Sequence, residues 1–117
     1  MKTNVVKDKS FVFALRIIKL NKHLIEYKKE YILSKQILRS GTAIGALIRE
    51  SEYAESKADF IHKLSISLKE ANETEYWIEL LFKAQYIKTT EYHSILNDLK
   101  EILKLLISII KTSKQNK

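Results

Sequence analysis

Apolar residues recur three and four positions apart along most of this chain, the repeat that lines one face of an α-helix. The clearest run lies towards the C-terminus, where Tyr92, Ile95, Leu99, Ile102, Leu106 and Ile109 form a continuous seam that Leu96, Leu103 and Ile110 widen. A seam that broad covers more than a two-helix contact requires and suits a bundle or a subunit interface. Leu64, Leu68, Ala71, Ile78 and Phe82 follow the same rule upstream. Ahead of them, Ser56-Lys57-Ala58-Asp59 has the spacing of a capping box, in which the serine hydroxyl accepts from an otherwise unpaired amide. Thr89 and Thr90 are the candidate caps of the last helix.

In the first third, Phe11, Ala14, Leu15, Ile18 and Ile25 share one helical face while Phe13, Ile17, Leu20 and Leu24 lie beside it, so this helix is apolar around more than half its circumference. The next carries Leu33, Ile37, Ile44, Leu47 and Ala54, with Ser40, Gly41, Thr42, Ala43, Gly45 and Ala46 packed into its middle. Each mid-helix glycine costs about 1 kcal/mol relative to alanine. The pair therefore implies either close approach by a neighbouring backbone or a break at Gly41 that splits the helix. The pattern predicts helices over about 9–28, 31–55, 57–86 and 90–112, with residues 1–9 and 112–117 fraying at the ends. Four helices joined by short polar links make an all-α fold, an antiparallel up-down-up-down four-helix bundle, in a single domain spanning 1–117.

Composition agrees with that fold. Of 117 residues, 45% are hydrophobic and 30% charged, which is enough apolar material for a packed core. With no proline and two glycines the chain lacks the turn residues that an all-β sandwich or barrel needs. The absence of cysteine excludes disulfides, thiolate metal sites and cysteine nucleophiles. No apolar run approaches the roughly 20 residues of a membrane span, and Lys2, Lys7, Asp8 and Lys9 occupy the place where a signal peptide would be apolar. The expectation is a cytoplasmic protein with no membrane contact.

Charge is unevenly placed within a net +7. Residues 1–49 carry eleven basic and three acidic side chains, whereas residues 50–87 carry four and eight. Either the basic first half presents a field that attracts phosphate backbones, or it pairs with the acidic third helix. Along the second helix, Lys35, Arg39, Thr42, Arg49 and Tyr53 fall on one side at helical spacing. Such a stripe can hold phosphates and stack a base, or it is a solvated, salt-bridged face. Lys35, Arg39 and Arg49, helped by Lys19 and Lys22, are the candidate nucleic-acid contacts, and Lys28 and Lys29 add basic density nearby. Extending the third helix's seam puts Glu75 on the core-facing side, where an unpaired carboxylate is costly. Arg39 is the expected partner of Glu75, in a structural ion pair.

Catalytic chemistry finds no footing. Asp59-x-x-His62 occurs once, and no second helix supplies the acid and histidine that would complete a bundle metal site beside Glu70, Glu73, Glu75 and Glu79. His23 and His93 stand among polar residues and read as surface groups. No glycine-rich phosphate loop, nucleophile elbow or H-E-x-x-H is present. The expectation is a non-enzyme with no catalytic residues, metal or cofactor.

The stretch running Gln36-Ile-Leu-Arg-Ser-Gly-Thr-Ala-Ile-Gly-Ala-Leu-Ile-Arg-Glu50, followed by Ala54-Glu-Ser-Lys-Ala-Asp-Phe60, Lys63-Leu-Ser-Ile-Ser-Leu-Lys-Glu-Ala71 and Glu73-Thr-Glu-Tyr-Trp-Ile-Glu-Leu-Leu81, resembles the four-helix-bundle proteins encoded in intervening sequences of bacterial 23S ribosomal RNA genes. Leu47 departs from the asparagine usual in that family. The resemblance implies a bundle that assembles into a ring, commonly a pentamer. It also implies similarity to accessory proteins of diversity-generating retroelements, basic barrels that bind nucleic acid and associate with a reverse transcriptase. Two functions follow as expectations. One is a homo-oligomer binding structured RNA or other nucleic acid through its basic surface; the other is an assembly scaffold docking a protein partner such as a polymerase. The resemblance supplies no catalytic residues.

Overall fold

The computed structural model describes residues 2–116, the side chain of Lys2 excepted. It consists of α1 (Lys2–Glu26), α2 (Leu33–Ser51), α3 (Lys57–Lys83) and α4 (Thr89–Gln115). Each helix packs on its two neighbours around the bundle, α1 closing against α4, while diagonal pairs make no close backbone approach among the described residues. Cross-helix partners run in opposite directions along each pair. Lys7 meets Glu52 at 2.8 Å while Asn21 donates to the Ser34 carbonyl at 3.0 Å, and Lys9 meets Glu101 at 2.7 Å while Arg16 meets Asp98 at 2.8 Å. Between α2 and α3, Lys63 reaches Glu50 at 3.2 Å and Ser67 donates to the Ile44 carbonyl at 2.9 Å. The result is an antiparallel up-down-up-down rod of 49 × 22 × 19 Å.

Phe13, Ile17 and Leu24 of α1, Ile37, Ile44 and Ile48 of α2, Leu64, Ile78 and Leu81 of α3, and Ile95, Leu99 and Ile102 of α4 are fully buried along its axis. Of the two apolar faces of α1, the core takes Phe13, Ile17, Leu20 and Leu24. Phe11, Leu15, Ile18 and Ile25 stay exposed on the outer side, together with Val5 and Val12.

The α2 helix runs unbroken through both glycines, and neither takes a positive φ. They serve packing. A Cβ on Gly41 would stand 2.9 Å from Cγ1 of Ile17, and one on Gly45 would stand 3.1 Å from the Ser10 hydroxyl. Close approach by α1 is thus what offsets their helix cost. The turns use other residues: Lys29 (φ 54°) ends α1 and Gln85 (φ 70°) ends α3 in left-handed backbone.

Four sequence expectations are corrected. The α1 helix begins well before residue 9, because Val6 is fully buried and the Lys7 and Lys9 ion pairs hold its first turns against α2 and α4. At the other end α4 continues to Gln115 with Ile109 and Ile110 buried; Met1 and Lys117 lie outside the described residues. The α3 core line passes through Leu64, Ser67, Ala71, Thr74, Ile78 and Leu81, so Leu68, Glu75 and Phe82 flank it. The α4 cap position is Lys88, with Thr89 already helical and no side-chain cap. By contrast Ser56 caps α3 as its spacing predicts, accepting from the Asp59 amide at 3.0 Å.

Candidate nucleic-acid interface

The basic stripe of α2 does not act as one surface. The Arg39 guanidinium lies 3.2 Å from Glu70 and also donates to Glu73. The Arg49 guanidinium sits 5.1 Å over the Phe11 ring, a cation–π contact between α2 and α1. Thr42 spends its hydroxyl on the Leu38 carbonyl at 2.6 Å. Tyr53 is exposed beyond the C-terminal end of α2, about 25 Å along the axis from Lys35 at the rise of a helix. Lys35, Lys19 and Lys22 are exposed and make no ion pair among the described residues.

The expected pair of Arg39 with Glu75 does not form. Thr74, not Glu75, holds the core-facing position of α3: its hydroxyl lies 2.9 Å from that of Ser40 and donates to the Glu70 carbonyl at 2.8 Å. Glu75 therefore turns outward to Lys100 on α4, at 3.7 Å. Arg39 instead meets the α3 carboxylates on the side facing α2. The acidic third helix thus absorbs Arg39 of α2 and Lys100 of α4, while its own Lys63 pairs with Glu50 at the end of α2.

One group of unpaired lysines lies at the end of the rod where α1 passes to α2; Lys57, Lys69, Lys88, Lys111 and Lys114 are also exposed without an ion pair among the described residues. Within residues 19–35, Lys19, Lys22, Lys28, Lys29 and Lys35 stand against Glu26 and Glu30, and Glu91 of α4 lines the same groove as Lys19; of these acids, Glu30 is used internally. Its carboxylate accepts from the amides of Ile32 (3.3 Å), Leu33 (3.1 Å) and Ser34 (2.8 Å). It serves as the cap of α2, whose own cap residue Ile32 offers no side-chain acceptor. Tyr27, Tyr31 and Ile32 stand out at this tip with their side chains exposed. They lie outside the α2 stripe. Their signal is the run Tyr27-Lys-Lys-Glu-Tyr-Ile32, where two tyrosines flank a pair of lysines and Glu30 at the helix break.

The Glu73 carboxyl is held below the ordinary carboxylate range, first by the Trp77 indole N–H donating to it at 3.0 Å and then by Arg39. Arg39 is correspondingly raised, Glu70 contributing most. Because the folded-state pKa is lowered, this stabilisation is fully present above the unfolded glutamate value of about 4.3 and is lost as pH falls through the lower folded value. Trp77 is the sole tryptophan, so its fluorescence reports the event. An acid titration should show an emission change with its midpoint below about 4.3, moved upward by Arg39→Gln. A midpoint at or above the ordinary value, unmoved by that change, would contradict the assignment.

No group of three histidine, aspartate or glutamate side chains able to hold a metal occurs among the described residues. The groove between α1 and α4 is lined by Asp8, Lys9, Val12, Phe13, Asp98 and Glu101, and its Lys9 and Glu101 are already paired. No described helix is long and apolar enough to cross a membrane.

Comparison with known proteins places this architecture. No curated protein matches the chain. A crystal structure of a protein of unknown function from the S23 ribosomal protein family of Bacteroides thetaiotaomicron VPI-5482 superposes with a TM-score of 0.94 at 66% sequence identity, covering 95% of this chain and 99% of that one. The family model for the 23S rRNA-intervening sequence protein matches residues 2–108, from the first turn of α1 almost to the end of α4. A four-helix rod with this sequence along nearly all its length belongs to the 23S rRNA-intervening sequence protein family.

Proposed function

We propose that this chain is a non-enzymatic, homo-oligomeric helical bundle that works in the cytoplasm and binds structured RNA or another nucleic acid through its basic surface. The observation that carries the reading is the set of lysines left without acidic partners at the α1–α2 end, where Lys19, Lys22 and Lys35 join Lys28 and Lys29. Cations already neutralised inside the chain add little to a phosphate-directed field; these five remain available. The family description, with its reference to 23S rRNA, makes structured RNA the first nucleic acid to try. Assembly is supported by the outer face of α1, where Phe11, Leu15, Ile18 and Ile25 continue an exposed apolar line. A pentamer is the form that the family resemblance implies.

Fluorescence anisotropy with a labelled structured RNA tests the binding. Affinity should fall about tenfold or more between 50 and 200 mM salt, because each phosphate contact releases counterions. No binding at low salt, or binding indifferent to salt, would refute it. Light scattering of the same preparation reads assembly, and a monomer at micromolar concentration would remove the oligomer. Capture of a protein partner that survives nuclease treatment, with no RNA bound, would favour the scaffold reading instead.

A further inference from the structure

The hairpin between α1 and α2 exposes more than its fold requires. Tyr27, Tyr31 and Ile32 are 74%, 58% and 75% exposed, yet the segment carrying them is firmly held. The Tyr27 amide donates to the His23 carbonyl at 2.9 Å and the Glu30 amide to the Leu24 carbonyl at 3.0 Å. The Glu30 carboxylate gathers the first amides of α2, and the Ser34 hydroxyl returns to the Glu30 carbonyl at 2.8 Å. Lys29 accepts a left-handed backbone to make the reversal. Two aromatic rings are thus displayed on a pinned turn, Tyr27 leaning on the His23 ring at 5.4 Å between centroids while most of its surface stays exposed, with Lys22, Lys28, Lys29 and Lys35 around them in sequence and unpaired.

Resting on the nucleic-acid reading above, we infer that this tip is a stacking platform for unpaired bases, Tyr27 and Tyr31 receiving the bases and the surrounding lysines the phosphates. A tyrosine ring offers a broad face at low conformational cost, and a pre-formed backbone lowers the ordering cost further. Stacking tolerates any base, since every base has a π-face, but that face must be free. A duplex hides its bases against one another, whereas folded RNA offers them in loops and bulges. The N-terminus of α2 is already satisfied by Glu30, so phosphates fall to the lysine side chains. One aliphatic side chain and two rings are far less apolar area than a helix lying in a lipid interface buries, which favours nucleic acid over a membrane surface.

Anisotropy with a labelled unpaired RNA of about 12 nucleotides, within the site size of single-strand binders, and with the matching duplex tests the platform at low salt. The wild-type protein should prefer the unpaired strand. Tyr27→Ala/Tyr31→Ala should weaken that binding by about tenfold or more, given the usual effect of removing a stacked aromatic, and leave duplex binding nearly unchanged. Tyr27→Phe/Tyr31→Phe should bind as wild type, since the ring and not the hydroxyl is used. Both rings are exposed, so the unfolding curves should superimpose. Salt-sensitive binding that ignores the alanine changes, or equal binding of strand and duplex, overturns the platform and leaves the basic-surface reading standing. Absence of all binding at low salt overturns both. Binding to phosphatidylglycerol-containing vesicles in preference to the unpaired strand also overturns the platform.

Discussion

Gly41→Leu is expected to destabilise the fold by about 3 kcal/mol, the upper part of the usual range for overpacking. Even a single carbon at this position would stand 2.9 Å from Cγ1 and 3.0 Å from Cγ2 of Ile17. Those atoms sit next to Cβ on a β-branched side chain that keeps one strongly preferred rotamer in a helix, and Ile17 is fully buried. It cannot swing away. A leucine must therefore push α1 off α2, which also opens the approach of Ser10 to Gly45 one turn further along. The melting temperature should fall by roughly 10 °C or more. Gly41→Ala should cost less, on the order of 1 kcal/mol, because a helix-propensity gain of about 1 kcal/mol opposes the clash. Adding Ile17→Ala to Gly41→Leu should recover part of the loss, since the small residue then faces the large one. Urea unfolding with unchanged m-values measures all of these. An unchanged midpoint for Gly41→Leu would mean that the two helices do not meet as closely as described.

The same contact shows what could be read in advance and what could not. The seam of α4 was legible because every core position on it is apolar, from Ile95 to Ile109. On α3 the core line includes Ser67 and Thr74, whose hydroxyls are satisfied by Ile44 and by Ser40 and Glu70. A hydrophobic pattern passes over such residues, so it drifts by one position to Leu68 and Phe82 and carries Glu75 inward with it. On α1 both faces are apolar, and only contacts with α2 and α4 decide which is buried. Two glycines in one helix correctly signalled close packing, since nothing local favours them there. The stripe Lys35, Arg39, Arg49 was spaced correctly but could not show that Glu70, Glu73 and Phe11 stand across from two of its members. Periodicity hides the tyrosines at the tip because it carries α1 to about residue 28, which makes Tyr27 a helical residue and leaves Tyr31 at a helix start.

Glu30→Ala should lower stability by about 2 kcal/mol, within the range measured for loss of a helix cap and of hydrogen bonds to a charged group. Glu30 is 9% exposed, and its carboxylate takes the Ile32, Leu33 and Ser34 amides together. No side chain at the α2 cap position substitutes for it. It also places a negative charge at the positive end of the helix dipole. Glu30→Gln keeps one oxygen acceptor without the charge and should lose less, about 1 kcal/mol. Hydrogen exchange at the Leu33 and Ser34 amides should accelerate in the alanine variant before the bundle centre responds. Because Glu30 also pins the segment that displays Tyr27 and Tyr31, the alanine variant should weaken binding of an unpaired strand although no contact residue has changed. A variant that unfolds as readily as wild type would show that water replaces the carboxylate at no cost. One that is destabilised yet binds with full affinity would separate the cap from the platform and show that the rings need no fixed backbone.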